Sequence, residues 1–563
     1  MSRIRQQKAT ALILVMLLLQ LMALPAKAEP WKFGIMGDTQ WTTADPTGAN
    51  PNTVPVTIID QVNREFIREG VRFVIAVGDL SDDGKEISET TRARTAQALI
   101  DAGIGFFPFR GNHELKGGED FGLSVFRSNY PQTTTGLFTT SSNHRFRVGR
   151  QFSSPVSVSS GLAGLSYSFD YGDRASNSRF VIIDPWPLPG KVVESPTGYP
   201  NGFTIHDQQP WISKRLDRKS GGVKHVFVFA HQPLIAEGHQ DTMFGGYADA
   251  HPDWQNEFYA SMQQNGARFF ISGHDHLHQR SIVLSPDGKS RVEEVIAASC
   301  STKFYTPKSI DDPKWFGQKS REIPISQERG SVGYSIWTVD GPLVRVNYYA
   351  DDHGNWQSDA AYPNGTGRSD TGVTPTFRFV KTESWSYSLN GREFLVRQGE
   401  SYTVVNDHYR GTTARILDGA NLSTAREGYP KNPAATGRPL AKTVDTGWIT
   451  RKGRHLASDI LCLDGMGDPG SGKSDLFVLS MSYDPSLVIA GNLLNGSFGL
   501  ASVDESGHTG NAVGPISNTD RRFIAGPWVK GYPAGTWGVD VRSRTVWAVI
   551  DHTGRFAAAV FDR

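Results

Sequence analysis

Val71–Gly84 reads VRFVIAVGDLSDDG. Phe73–Val77 is a short apolar run rich in β-branched residues, which predicts a buried strand and is too short to argue for a helix. Gly78 lets the backbone turn sharply, and Asp79 is left at the strand's carboxyl end. In open α/β sheets, ligands bind in the crevice outside those ends. One Gly-Asp pair decides nothing, because it is also an ordinary turn. The pattern recurs, however. Trp31–Asp38 (WKFGIMGD) ends in Gly-Asp and Gly105–Glu114 (GFFPFRGNHE) in Gly-Asn-His-Glu. Val226–His231 (VFVFAH) ends in a histidine and Phe269–His278 (FFISGHDHLH) in a cluster of them. Five apolar runs thus end in Asp, Asn or His, side chains that bind divalent metals through oxygen or nitrogen.

Between the first runs lie helical patterns. Val56–Glu69 stops at Gly70, and Glu86–Ala102 stops at Gly103, both good helix ends. Strands alternating with helices of this size predict βαβ units. Residues 116–165 are rich in Ser, Thr and Gly with little periodicity and read as a long inserted loop. Ser166–Tyr171 and Arg179–Asp184 predict a strand pair, Val223–Ala230 a strand, and Gln208–Leu216 and Trp254–Gln264 helices. Ser281–Ala298 and Gly333–Tyr349 read as paired strands. Residues 353–378, rich in Gly, Asp and Pro, read as a linker. From 379 to 563 short strands alternate with Asn390-Gly391, Asp418-Gly419 and Asn495-Gly496, hairpin-type turns, which predicts a second, β-rich domain. Gly467–Ser474 (GDPGSGKS) matches a phosphate-binding loop literally, but that loop needs a helix after it. Asp475–Tyr483 (DLFVLSMSY) reads as a strand, so a glycine-rich turn is the better reading.

At 563 residues the chain has room for more than one core, and 38% hydrophobic with 20% charged residues is a globular composition. Residues 1–28 read as a secretory signal peptide: Arg3, Arg5 and Lys8, an apolar stretch Ala11–Leu24, then Ala26-Lys27-Ala28 as the cleavage site. A secreted or periplasmic protein without a later membrane span is expected. Removing the segment's four positives turns the formal +1 into −3, which leaves no nucleic-acid footprint. Cys300 and Cys462 are equally compatible with an exported disulfide and with two buried thiols.

In chain order Asp38, Asp79, Asn112-His113, His231, His274 and His276 resemble the motif set of the calcineurin-like metallophosphoesterase superfamily. GNHE at 111–114 and GHDH at 273–276 are its most specific parts. The resemblance covers roughly residues 31–350 and implies an α/β (α+β sandwich) fold. This is a two-sheet core flanked by helices, with the metal site at strand carboxyl ends, spanning 29–352 and followed by a separate all-β domain. It implies two divalent metal ions (Mn, Fe or Zn). Asp79 would bridge them, Asp38 and His276 would complete the first site, and Asn112, His231 and His274 the second. A hydroxide between two such cations attacks phosphorus in line, and His113 binds the phosphoryl group or protonates the leaving oxygen. His239 and His278 are candidate substrate contacts. Gln40 stands where the family usually has a histidine ligand, and it is carried here as a candidate ligand. Asp82 stands where purple acid phosphatases have a tyrosine, which points away from that branch. In the protein-phosphatase branch an aspartate at this place orients the GNH histidine. The competing role for Asp82 is to cap the helix at Glu86. The expected function is hydrolysis of phosphate mono- or diesters. The alternative is a catalytically weak binding protein whose β domain attaches to a surface or partner.

Overall fold

The computed structural model describes residues 29–40 and 54–562, apart from 118–119, 175, 187, 189–204, 248–249, 298, 302, 309–311, 313–316, 318, 352–356, 359–366, 369–375, 389–391, 397–400, 404–411, 419–424, 428–441, 450–454, 467–473 and 518–519. The signal segment, the Asn390-Gly391 turn, Gly419 of the Asp418-Gly419 turn and most of the GDPGSGKS stretch lie outside the described residues.

Strands β1 (Trp31–Met36), β2 (Phe73–Ala76) and β3 (Gly105–Pro108) run parallel. The helix Val54–Glu69 crosses between β1 and β2, and two helices, Glu86–Thr95 and Gln97–Asp101, cross between β2 and β3. A single helix over 86–102 was the expectation; the chain instead breaks at Ala96. Gly34 lets the first crossover helix lie close, since a Cβ there would come within 2.4 Å of the Phe66 ring. The 116–165 stretch is not a bare loop. It holds a helix (Leu123–Asn129), a hairpin of β4 (Leu137–Thr139) with β5 (Arg145–Arg147), and β6 (Arg150–Ser153). These pieces are shorter than the window in which periodicity can be read.

Next come β7 (Tyr167–Tyr171), β8 (Ser178–Ile182), β9 (His225–Phe229) and β10 (Phe269–Ser272). Helices Ile205–Leu216 and Pro252–Asn265 cover their outer face through a core that includes Ile212, Leu216, Phe258 and Met262. The hairpin β11 (His278–Leu284) with β12 (Arg291–Ile296) follows, then β13 (Glu322–Arg329). Last are β14 (Gly333–Asp340), β15 (Leu343–Asp351), the short pair β16 (Gln357–Ser358) and β17 (Gly367–Arg368), and β18 (Phe379–Ser388).

Apart from the separate pairs β4-β5 and β16-β17, these strands make two sheets. One has the order β18-β15-β14-β1-β2-β3, and the other runs from β13 through β11-β12-β10-β9-β8-β7 to β6. The segments 281–298 and 333–349 are therefore hairpins of different sheets and do not pair with each other. The sheets face each other across packed aromatic rings. Phe73 and Phe33 meet Phe180 at 4.9 and 5.0 Å between centroids, and Phe33 meets Phe227 at 5.2 Å. Each sheet contains a parallel run: β1, β2 and β3 in one, β8, β9, β10 and β12 in the other.

One strand is not where the sequence texture puts it. Phe379–Ser388 was read as opening the second domain, yet it pairs along β15 from Asp351↔Phe379 to Leu343↔Ser388. Trp385 and Tyr387 are buried in the first core. An edge strand carries no local mark of which sheet will accept it. The remainder forms two six-stranded sheets around Leu461, Phe477, Phe498, Val546 and Phe556. Ala425–Glu427 pairs with β13, and Ser386 Oγ donates to Asp464 Oδ2 at 2.9 Å, so these sheets abut the first core. Asp475–Tyr483 contains the expected strand, Leu476–Ser482. Asn495-Gly496 leads from a short turn into the strand Phe498–Val503 and closes no hairpin. Cys300 and Cys462 are both free and buried. Among the described residues no helix is long and apolar enough to cross a membrane.

Candidate metal centre

The five strands that carry the motif residues, β1, β2, β3, β9 and β10, all present their carboxyl ends at one edge of the core. Five residues there hold left-handed backbone: Asp38 (φ 42°), Gln40 (φ 37°), Asp79 (φ 49°), His274 (φ 73°) and His276 (φ 51°). Such a conformation costs on the order of 1–3 kcal/mol per non-glycine residue, and the surroundings must hold it. Glu114 does much of the holding. Its buried carboxylate accepts from the backbone N–H of Asp79 (3.0 Å), Leu80 (2.8 Å), Ser81 (3.2 Å) and Gly111 (2.5 Å), tying the turns after β2 and β3 together. Two glycines are required by space. A Cβ on Gly111 would lie 2.2 Å from Asp79 Oδ1, and one on Gly273 would lie 2.6 Å from Asp38 Oδ2.

Each ligand-type histidine has one nitrogen engaged outward and one turned in. His231 Nδ1 lies 2.7 Å from the Val77 carbonyl oxygen, which only accepts, so that nitrogen carries a proton. His276 Nδ1 meets the Lys303 carbonyl at 2.9 Å in the same way. In His274 the sense is reversed: Nε2 donates to Asp241 Oδ1 at 3.1 Å. The inward nitrogens converge. His231 Nε2 and His274 Nδ1 each lie 3.1 Å from Asn112 Oδ1, and His231 Nε2 is 3.3 Å from Asp79 Oδ1. His276 Nε2 is 3.7 Å from Asp38 Oδ1. Two groups result, Asp79–His231–His274 and Asp38–Asp79–His276, each with its ligand atoms within 4.8 Å of one another. Holding metal-binding imidazoles by their far nitrogen sets tautomer and orientation.

The electrostatics demand positive charge at this spot. Burial pushes the Asp38 carboxyl up to about 8, with Asp79 adding to the rise against the pull of His231. Burial works against the Asp79 carboxylate too, yet His231 and His113 hold it well below the usual range. His231 is driven up to about 10 by Asp79 and Asp38 in spite of its burial. Asp38 Oδ2 is buried and has no hydrogen-bond partner. A divalent cation satisfies these groups, and carboxylate, amide oxygen and imidazole are donors to such ions.

His113 stands beside this cluster. Its Nδ1 is 2.6 Å from the Asp82 carbonyl oxygen and 3.3 Å from the Asp82 carboxylate. The carbonyl requires a proton on Nδ1, so the Lys116 ammonium 2.9 Å from that nitrogen is a neighbouring charge and not a donor to it. The hydrogen bond from His113 lowers the Asp82 pKa, against partial burial. Asp82 does not cap the following helix, whose first residue is preceded by Lys85 with no side-chain cap. Gln40 lies inside the site, but its amide nitrogen faces Asp79 Oδ2 (3.3 Å) and His113 Nε2 (3.1 Å). The nitrogen end of the amide is thus turned to Asp79 and His113, and His113 Nε2 accepts from it only while that nitrogen carries no proton.

The candidate substrate contacts divide. His239 is at the rim, its Nδ1 2.8 Å from Asp275 Oδ1 and its ring 4.1 Å from that of His274. His278 is not at the site: it is buried, hydrogen-bonded to Glu383 at 2.6 Å and stacked on Tyr348 at 3.8 Å. One residue after Leu277 its side chain already belongs to β11. Sequence reading missed Asp241, which lies in a loop without periodicity, and gave Glu114 no role. It also missed Lys303 and Tyr305, in the segment after β12 that returns across the site.

The residues 32–278 match the family model described as calcineurin-like phosphoesterase. This chain carries a calcineurin-like phosphoesterase domain. It is thereby a phosphoester hydrolase of the metal-dependent kind, with a further β-rich region after it. No curated protein matches the chain. Solved structures similar to it include a dimetal phosphatase from Danio rerio, 15% identical, spanning 62% of this chain and 99% of that one with a TM-score of 0.37. PhoD is 11% identical over 64% of this chain and 70% of its own, TM-score 0.40. Purple acid phosphatase PPD1 from yellow lupin (Lupinus luteus) seeds is 16% identical over 65% and 55%, TM-score 0.37.

Proposed function

We propose that the protein is an exported phosphoesterase that hydrolyses phosphate mono- or diesters at a two-metal centre held by Asp38, Asp79, Asn112, His231, His274 and His276. Divalent cations bound there would neutralise phosphoryl oxygens and supply the nucleophile from water. The chain's own groups do the rest. His113 gives a proton to the ester oxygen as the P–O bond breaks, so the leaving group departs as a neutral alcohol. The Asp82 carbonyl and carboxylate hold the ring by Nδ1, which leaves Nε2 for the ester oxygen. Gln40 positions His113 against Asp79 and is not itself a ligand. His239, steadied by Asp275, faces the substrate from the rim.

The observation that carries this reading is the convergence of three inward imidazole nitrogens, an amide oxygen and two buried carboxylates. The export part rests on the residue pattern of 1–28. The β-rich region is assigned attachment to a surface or partner, because every proposed ligand precedes residue 277. Protein loaded with Mn²⁺, Zn²⁺ or Fe²⁺ is expected to turn over p-nitrophenyl mono- or diesters and to hold about two metals per chain. Neither turnover nor bound metal with any of the three would refute it and leave the binding-protein reading.

A further inference from the structure

The segment after β12 comes back over the metal centre. Gly37 and Ser299 pair as an isolated bridge, and Cys300 N donates to the Gly37 carbonyl at 2.8 Å. Three residues on, the Lys303 carbonyl receives the His276 proton. Tyr305 wedges between two site histidines, its ring 4.4 Å from that of His239 and 5.1 Å from that of His276. The Lys303 ammonium lies 5.4 Å from the centroid of the Tyr305 ring, within the fields of Asp79 and Asp82. It is largely buried, and among the described residues no carboxylate stands within ion-pair distance of it. Burial works against the ammonium, yet Tyr305, Asp79 and Asp82 favour its charged form, so it stays a cation with no carboxylate paired directly to it. Lys116, 2.9 Å from His113 Nδ1, adds a second ammonium near the site.

We propose that Lys303, steadied by Tyr305, binds a non-bridging oxygen of the substrate phosphoryl group and makes the centre select phosphomonoester dianions over diester monoanions. The inference rests on the phosphoesterase reading of the same site and names its substrate class. The charge balance supports it. Two divalent cations outweigh Asp38 and Asp79, and Lys303 adds a positive charge that a diester, with one negative charge, matches less well. A phosphomonoester is close to doubly charged at neutral pH, its second pKa being about 6. The ammonium's missing counter-ion is then the substrate itself.

The test uses the metal-loaded full chain and the variants Lys303→Gln and Lys303→Arg, with metal content and circular dichroism confirming each fold. Two readouts are taken: the ratio of kcat/KM for p-nitrophenyl phosphate to that for bis-p-nitrophenyl phosphate, and the Kd for inorganic phosphate by calorimetry. The wild type is expected to favour the monoester. Lys303→Gln is expected to lower that ratio about 10- to 100-fold, the worth of one charge-assisted hydrogen bond, and to weaken phosphate binding by a similar factor. Lys303→Arg, which keeps the charge, is expected to restore most of both. An equal loss on the two esters, or unchanged phosphate binding in Lys303→Gln, would overturn the proposal. If neither ester turns over in the wild type, the phosphoesterase reading falls, and phosphate binding still decides for or against Lys303.

Discussion

His113 is held by its neighbours in one tautomer, and two of them act differently. The Asp82 carbonyl, 2.6 Å from Nδ1, is backbone and survives any substitution at 82. The Asp82 carboxylate, 3.3 Å from the same nitrogen, adds a longer hydrogen bond and its charge, and it is 43% exposed, which weakens that charge. Asp82→Asn is therefore expected to lower kcat by about three- to tenfold, at most about 1.4 kcal/mol of interaction, with metal content unchanged. In a double-mutant cycle, Asp82→Asn combined with His113→Ala should cost little more than His113→Ala alone; full additivity would show that the pair is not coupled. Gln40 gives a sharper test, because the ligand and donor readings part. Gln40→Ala should keep two metals per chain, measured by plasma mass spectrometry, and lower kcat; a drop to one metal would show that the side chain is a ligand. Asp79→Asn should lose both ions with a native circular dichroism spectrum, since both clusters share its carboxylate.

At the scale of elements, β18 closes one edge of the first sheet and carries a buried charge across the core. Glu383 accepts from His278 at 2.6 Å and from Arg280 at 2.9 Å, and Arg280 lies over the Trp385 ring at 4.5 Å. Burial opposes the carboxylate, yet Arg280 and His278 bring Glu383 down to about 2 from the ordinary 4.5. A folded-state value below the unfolded one means that the contribution is full above pH about 4.5 and is lost as the pH falls toward about 2. Urea unfolding between pH 5 and 2 should show wild-type stability falling steeply. Glu383→Gln should start lower at pH 7, by about 1–3 kcal/mol for a buried partner left unpaired, and should fall less steeply. Equal slopes would remove Glu383 as the titrating group.

For the whole molecule, the place of β18 decides where the chain can be cut. A chain ending near Asp352 keeps every proposed ligand but removes Glu383, Trp385 and Tyr387 from the core, and it is expected to be insoluble or to melt far lower. A chain ending just after Ser388 keeps both sheets of the first core apart from the edge strand Ala425–Glu427 and should hydrolyse small esters with a kcat within about threefold of the full chain, in line with domains folding on their own cores. A soluble, folded and inactive product of the longer cut would show that the C-terminal sheets complete the site. That Asp38, Asp79, Asn112, His231, His274 and His276 converge was readable from residue order, because a run that ends in such a residue at a parallel strand's carboxyl end is a local pattern with a fixed spatial meaning. The βαβ alternation and the strand after GDPGSGKS were readable for the same reason: apolar period and turn chemistry act over a few residues. What joins distant segments was not. Asp241 behind His274, Glu383 under His278, Lys303 above His276 and the engagement of the Gln40 amide each depend on chain folded back from far along the sequence. No local period records that return; only the packing of the two sheets and the loops over their edge brings those groups to their partners.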